Sequence, residues 1–223
     1  MQRTRICDRE LPFYTHGEEI FNMVSHIVGG AFGIFALVSC LLVAASKQNV
    51  WGLVSSAIYG TTLILLYSSS SVYHGLAANT AKKVMQVVDH CTIYFLIAGT
   101  YTPIVLYPLR EYAPAWAWTI FGLVWACAVV GSVFTAIDLK KYAKLSMLCY
   151  LGMGWCIVLA AKPALAAIPL PGLLWLLAGG ISYSIGAVLY GLGRTRRYMH
   201  SVFHVFVLLG SVLQYIAILF YAL

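Results

Sequence analysis

Charge is scarce in this chain. Asp and Glu together number seven in 223 residues, and all charged side chains amount to 9%, where a soluble domain carries about 25%. With 61% apolar residues and a mean hydropathy of +0.86, that deficit excludes a water-soluble globular protein and points to a membrane protein. Long polar tracts are absent beyond Glu19, so no separate aqueous domain is expected: residues 1–19 read as a polar N-terminal segment and 20–223 as one membrane domain. The opening MQRTRICDRELPFYTHGEE mixes Arg, Asp and Glu and has no apolar core. It therefore does not read as a secretory signal peptide, and the first helix is expected to stay in the mature protein. The six cysteines (Cys7, Cys40, Cys91, Cys127, Cys149, Cys156) show neither CxxC nor zinc-ribbon spacing. Most sit in apolar runs and read as small buried hydrophobes. The net charge of +7 comes from Lys and Arg scattered between apolar runs. That pattern argues against nucleic acid as a partner and for topology signals and anchors to anionic lipid.

What is present is a series of apolar stretches long enough to cross a hydrocarbon core of about 30 Å as helices. Seven are expected, near Ile20–Ala45, Val50–Tyr73, Val84–Tyr107, Ala115–Ile137, Leu145–Ala161, Gly172–Gly193 and Met199–Leu223, the fifth being the shortest. Arg3, Arg5, Arg9, Lys82, Lys83, Lys140, Lys141, Lys144, Arg194, Arg196 and Arg197 fall on one side, against Lys47, Arg110 and Lys162 on the other. By the positive-inside rule the fold expected is an all-α membrane protein of seven transmembrane helices, with the N-terminus cytoplasmic and the C-terminus outside.

Depth then brings separate residues together. His200-Ser-Val-Phe-His204 opens the last stretch; two imidazoles four apart on a helix lie one above the other and can point at one metal ion. By the same topology the second helix ends at Ser70-Ser-Val-Tyr-His74 and the third starts near Asp89-His90, all at one level inside the cytoplasmic leaflet. Ionisable residues there are expensive and count as functional candidates. His74, His200 and His204 supply the three neutral imidazoles of a catalytic-type zinc site. Asp89 is then a fourth ligand or, the preferred reading, a carboxylate that hydrogen-bonds the water at the metal and takes its proton. Ser70, on the same helical face as His74, can orient that water or an oxyanion. The bland readings are an interfacial Asp89 paired with Lys82, Lys83 or an Arg of the last loop, and a helix-packing Ser70. His90 points away from Asp89 and is left out.

On the first helix, Glu19, Asn22 and His26 share a stripe at this depth. They either brace the site by hydrogen bonds, or His26 replaces one of the three ligands; Glu18 and Glu19 can also simply cap the helix. Two further stripes run outward: Asp89, Thr92, Thr100 and Pro103 on the third helix, and His200, His204, Ser211 and Gln214 on the seventh. They line a cavity toward the outer leaflet, or serve only as polar glue between helices.

These residues resemble the hemolysin III family, the bacterial branch of the progestin and adipoQ receptor superfamily. The match rests on EEIFNMVSH (Glu18 to His26), SSVYH (Ser70 to His74), DHCTIYFLIAGTYTP (Asp89 to Pro103) and HSVFH (His200 to His204), spread over nearly the whole chain with no departure. The resemblance implies seven helices with a cytoplasmic N-terminus in a bacterial inner membrane. It also implies a zinc held by three histidines, falling on His74, His200 and His204, with the family's Ser and Asp on Ser70 and Asp89. The superfamily includes alkaline ceramidases, lipid amide hydrolases with a similar site, and receptors for which such activity has been proposed. The family's name implies cytolysis, while other indications point to membrane fluidity or energetics. The leading expectation is a zinc-dependent hydrolase of a lipid amide or ester, or a lipid-responsive regulator, with membrane lipids as partners. A non-enzymatic sensor with structural zinc and a proton or ion conductor are the alternatives; a cytolytic pore fits a seven-helix integral protein least.

Overall fold

The computed structural model describes residues 4–193 and 196–223; Arg3 and Arg194 of the charge pattern lie outside the described residues. Among the described residues there are helices and no strands, and seven helices are long and apolar enough to cross a membrane: α1 (His16–Ser46), α2 (Val50–Gly75), α3 (Thr80–Tyr112), α4 (Pro114–Ile137), α5 (Ala143–Ala167), α6 (Leu170–Leu192) and α7 (Met199–Ala222). Each coincides with one expected stretch.

The fifth span, expected to be the shortest, ends at Ala167 rather than Ala161, and α1 starts at His16 rather than Ile20. The Thr15 side chain accepts from the Glu18 amide and the Glu18 carboxylate accepts from the Thr15 amide, a reciprocal cap that starts the helix one turn early. At roughly 46 Å for its length, α1 exceeds the hydrocarbon core and carries this cap beyond it.

Packing turns the usual polarity inside out. Along α1 the inward stripe is polar and small (Glu18, Asn22, His26, Gly29, Gly33, Ala36), while Ile20, Phe21, Val24, Ile27 and Val28 face outward. Lipid satisfies the branched side chains, so helices approach along small residues. Gly29 is the tightest case: a Cβ there would sit 2.3 Å from the Tyr67 ring of α2. Tyr67 in turn reaches α7, with its hydroxyl 2.7 Å from Ser211 Oγ, and Ser211 also meets Tyr183 of α6 at 2.8 Å. One core cluster joins α1, α2 and α7 to Leu96 and Ile104 of α3, and a second lies among α3, α4 and α5.

α3 is the central span: 72% of its most apolar stretch is buried, against 22% for α5. Both leave the regular helical ladder inside the bundle. In α3, Pro103 lacks the N–H that would bond the Gly99 carbonyl, and the coil widens to a π-helical turn over Val105–Leu109. In α5 the helix stops at Gly154, and a 3-10 stretch, Cys156–Ala160, follows. The Tyr101 hydroxyl of α3 repairs that break, donating to the Gly154 carbonyl at 2.8 Å and accepting from the Ile157 amide at 3.2 Å. In hydrocarbon such backbone groups must find a protein partner.

The N-terminal segment crosses one end of the bundle. The Thr4 amide donates to Asp138 Oδ2, Arg9 Nη2 to the Ile137 carbonyl, and Lys83 Nζ to the Cys7 carbonyl. The start of α7 is fixed at the same end. Tyr198 precedes it with a φ of 61°, which a bulky side chain seldom adopts, and its amide donates to Glu18 Oε1 at 2.6 Å. Glu18 thus caps α1 with one oxygen and holds the first turn of α7 with the other.

Candidate metal centre

Helix ends deliver the site. His74 stands in the last turn of α2, and His200 and His204 occupy the first two turns of α7, which Glu18 anchors. The three imidazoles form a buried cluster, each offering one ligand atom within 4.8 Å of the other two. His200 Nε2 and His204 Nε2 lie 3.1 Å apart, close to the roughly 3.3 Å between two nitrogens on one tetrahedral zinc.

The third donor is oriented by a carboxylate. His74 Nδ1 is 2.7 Å from Glu19 Oε2. Because a carboxylate only accepts, the proton is on Nδ1 and the lone pair on Nε2, a buried atom with no hydrogen bond of its own. A histidine whose far nitrogen donates to a carboxylate is the usual arrangement around a ligand imidazole. Three such nitrogens, buried and convergent, fit a borderline-soft divalent cation.

Asp89 is not in the cluster. Asp89 and Ser70 both line the cavity onto which His200 and His204 open. The alternative of Asp89 paired with Lys82 or Lys83 is not what is seen. Lys82 Nζ pairs with Glu19 Oε1 at 2.8 Å, and Lys83 bonds the Cys7 carbonyl. His90 Nδ1 lies 3.8 Å from Asp89 but donates to the Gln86 carbonyl at 2.8 Å, so its other nitrogen accepts from Tyr190, at 3.2 Å. His26 is not a member of the three-histidine cluster. Its ring stacks on His204, with centroids 3.8 Å apart and planes at 18°, and meets Tyr67 edge-on. Of the α1 stripe, then, Glu18 is the cap, Glu19 braces a cluster histidine and His26 packs against another.

The cavity has a volume of about 1160 Å³. Near the cluster it is lined by Tyr14, Ser70, Asp89, His90, His200 and His204, and further along by Leu66, Leu96, Ile97, Leu176, Val207, Thr100 and Gln214; Asp8, Arg9, Glu10, Lys140, Arg196 and Arg197 line it as well. The outward stripes are only half realised. Thr92 bonds Ser69, and Ser211 joins Tyr67 to Tyr183, so these act between helices, whereas Thr100 and Gln214 line the cavity.

Two residues escaped the sequence reading. Lys82 looked like a topology charge, yet it is 4% exposed and pairs with Glu19. Tyr14 stacks on His200, with centroids 4.8 Å apart at 25°, and covers the cluster from the N-terminal segment. Burial, with Tyr190 and the nearby carboxylates, raises its phenol far above the usual range and keeps it neutral. Its only signal was an aromatic next to the cap of α1.

Seven apolar helices around a buried three-histidine cluster and an apolar cavity define a multi-pass membrane protein with a candidate metal centre. Residues 14–215 match the family model described as "Haemolysin-III related", and the chain belongs to that family, within the progestin and adipoQ receptor superfamily. It is similar to the hemolysin-3 homolog of Bacillus subtilis, 38% identical over 208 residues, 93% of this chain and 96% of that protein. Hemolysin-3 of Bacillus cereus is 37% identical over 206 residues, covering 92% of each. The human monocyte to macrophage differentiation factor is 29% identical over 215 residues, 92% of this chain and 80% of that protein.

Proposed function

We propose that this protein is a zinc-dependent hydrolase of lipid amide or ester bonds in a bacterial inner membrane, with its N-terminus in the cytoplasm. The observation that carries the reading is that His200 and His204, two members of the three-histidine cluster, open onto the same cavity as Ser70 and Asp89, a cavity whose interior is largely apolar. His74, His200 and His204 would hold the metal. Zinc in such a site supplies a Lewis acid and lowers the pKa of water to about 7.

The chain's own groups do the rest. Glu19 keeps the His74 lone pair on Nε2. Asp89 is the base: a carboxylate facing the cavity beside the cluster accepts the proton of an attacking water and returns it to the leaving amine or alcohol. Ser70, on the same cavity wall, would donate to Asp89 and aim it. The apolar depth of the cavity accommodates an acyl chain and excludes bulk water, which strengthens each polar contact at its head. The described Lys and Arg gather overwhelmingly at the end that holds the cluster, which supports a cytoplasmic N-terminus.

The test pairs metal content with turnover. Purified protein should carry close to one zinc, lost in His74→Ala and His200→Ala. In liposomes it should release fatty acid from acyl amides or esters, and Asp89→Asn should end release while retaining zinc. Undiminished hydrolysis in His200→Ala or Asp89→Asn would overturn the enzyme. Zinc without turnover in wild type would leave the sensor, in which metal cross-links α2 and α7 and bound lipid shifts a conformational equilibrium.

A further inference from the structure

Lys82 is the one buried lysine in the bundle among the described residues, at 4% exposure, and its ammonium has a full set of partners. Nζ lies 2.8 Å from Glu19 Oε1, donates to the Leu76 carbonyl at 3.0 Å and to the His74 carbonyl at 3.5 Å, and sits 5.2 Å from the Tyr73 ring centroid. It therefore grips His74 twice: by its main chain directly, and by its side chain through Glu19, whose other oxygen is 2.7 Å from His74 Nδ1. Lys82 is also in the first turn of α3, seven residues and two turns before Asp89 on the same helix. The contact thus ties the helix that bears Asp89 to a histidine of the cluster.

We infer that Lys82, acting through Glu19, is a positioning residue that sets the zinc affinity of the three-histidine cluster and the placement of Asp89 beside it. The inference rests on the zinc reading above. An imidazole has two neutral tautomers, and only one presents Nε2 as a lone pair. Glu19 selects that tautomer by accepting from Nδ1–H. Lys82 keeps Glu19 in place, because a half-buried carboxylate that lost this partner would turn away toward water. Removing such a carboxylate from a ligand histidine typically weakens metal binding by about 10- to 100-fold.

The alternative is that Lys82 only caps the carbonyls at the end of α2. Zinc affinity is measured in detergent by competition with a chromophoric chelator, beside the melting temperature of the metal-free protein. Lys82→Met and Glu19→Gln are each expected to weaken zinc binding by roughly 10- to 100-fold, and Lys82→Arg to restore most of it. The Glu19→Gln/Lys82→Met double variant should be little weaker than either single one, since both act on His74 by one route. Multiplying losses, or a lowered metal-free melting temperature with unchanged zinc affinity, would overturn the inference in favour of the cap. Should Lys82→Met fail to fold, Glu19→Gln with wild-type affinity overturns it alone. A wild-type protein that binds no zinc would instead sink the metal reading, and this inference with it.

Discussion

α3 and α5 both abandon the helical ladder within the bundle, yet one is its most buried span and the other among its least. In α3 the cause is local, a proline at 103, and the neighbouring Thr100 and Thr102 hydroxyls turn back to the carbonyls of Leu96 and Ala98. In α5 the remedy is borrowed: Tyr101 of α3 satisfies both backbone groups at the break. A helix that needs another helix to complete its backbone takes its shape from that partner. Across from α6, α5 is joined by a bond from Trp155 Nε1 to Ser184 Oγ at 3.0 Å. The chemistry-bearing side chains stand on α1, α2, α3 and α7, and the α5 wall contributes shape.

Breaking that division is the sharpest test of it. Asp89→Asn, on α3, should lower turnover by about 10²–10⁴-fold with zinc content and melting temperature unchanged, a loss no isosteric change on the α5 wall should approach. Tyr101→Phe comes next. It leaves the Gly154 carbonyl and the Ile157 amide without their partner, at about 1–3 kcal/mol for each group, so thermal unfolding should begin earlier and hydrogen exchange around residues 154–160 should rise while zinc content holds. Trp155→Phe removes only the bond to Ser184 and should cost less than about 1.5 kcal/mol, a small fall in melting temperature with zinc content unchanged.

The smallest effect concerns the N-terminal segment. The Lys141 amide, with the Thr4 amide and Arg9, holds the Asp138 carboxyl below its ordinary range. A lowered folded pKa contributes stability that is present above the unfolded value of about 3.9 and is lost as pH falls through the folded one. The melting temperature should therefore drop as pH falls from about 3.9 through that window, and Asp138→Asn should flatten the drop.

The architecture was legible in the sequence because hydrocarbon demands about 20 apolar residues per helix, a signal that survives errors of several residues at each end. The depth of His74, His200 and His204 followed from Lys and Arg placement, since helices of fixed rise convert loop charge into position. What escaped were partnerships over long sequence distance. Lys82 was legible as a charge but not as the mate of Glu19, because topology rules count lysines without asking where the ammonium goes. Thr92 and Ser211 fell on the right helical faces, yet they are used between helices, and a stripe cannot distinguish a lining hydroxyl from a bonded one. Nor could local pattern show that Glu18 reaches Tyr198, 180 residues on.

That last contact has a consequence for assembly. Two of the three clustered histidines lie on the final span, and its first turn is pinned by the opening cap of the chain. During synthesis the first six spans can enter the bilayer and pair, but they present a single histidine of the three. Only when the seventh arrives and its start is clasped to the first does the trio exist, so the convergence of the three imidazoles depends on the last span to be made.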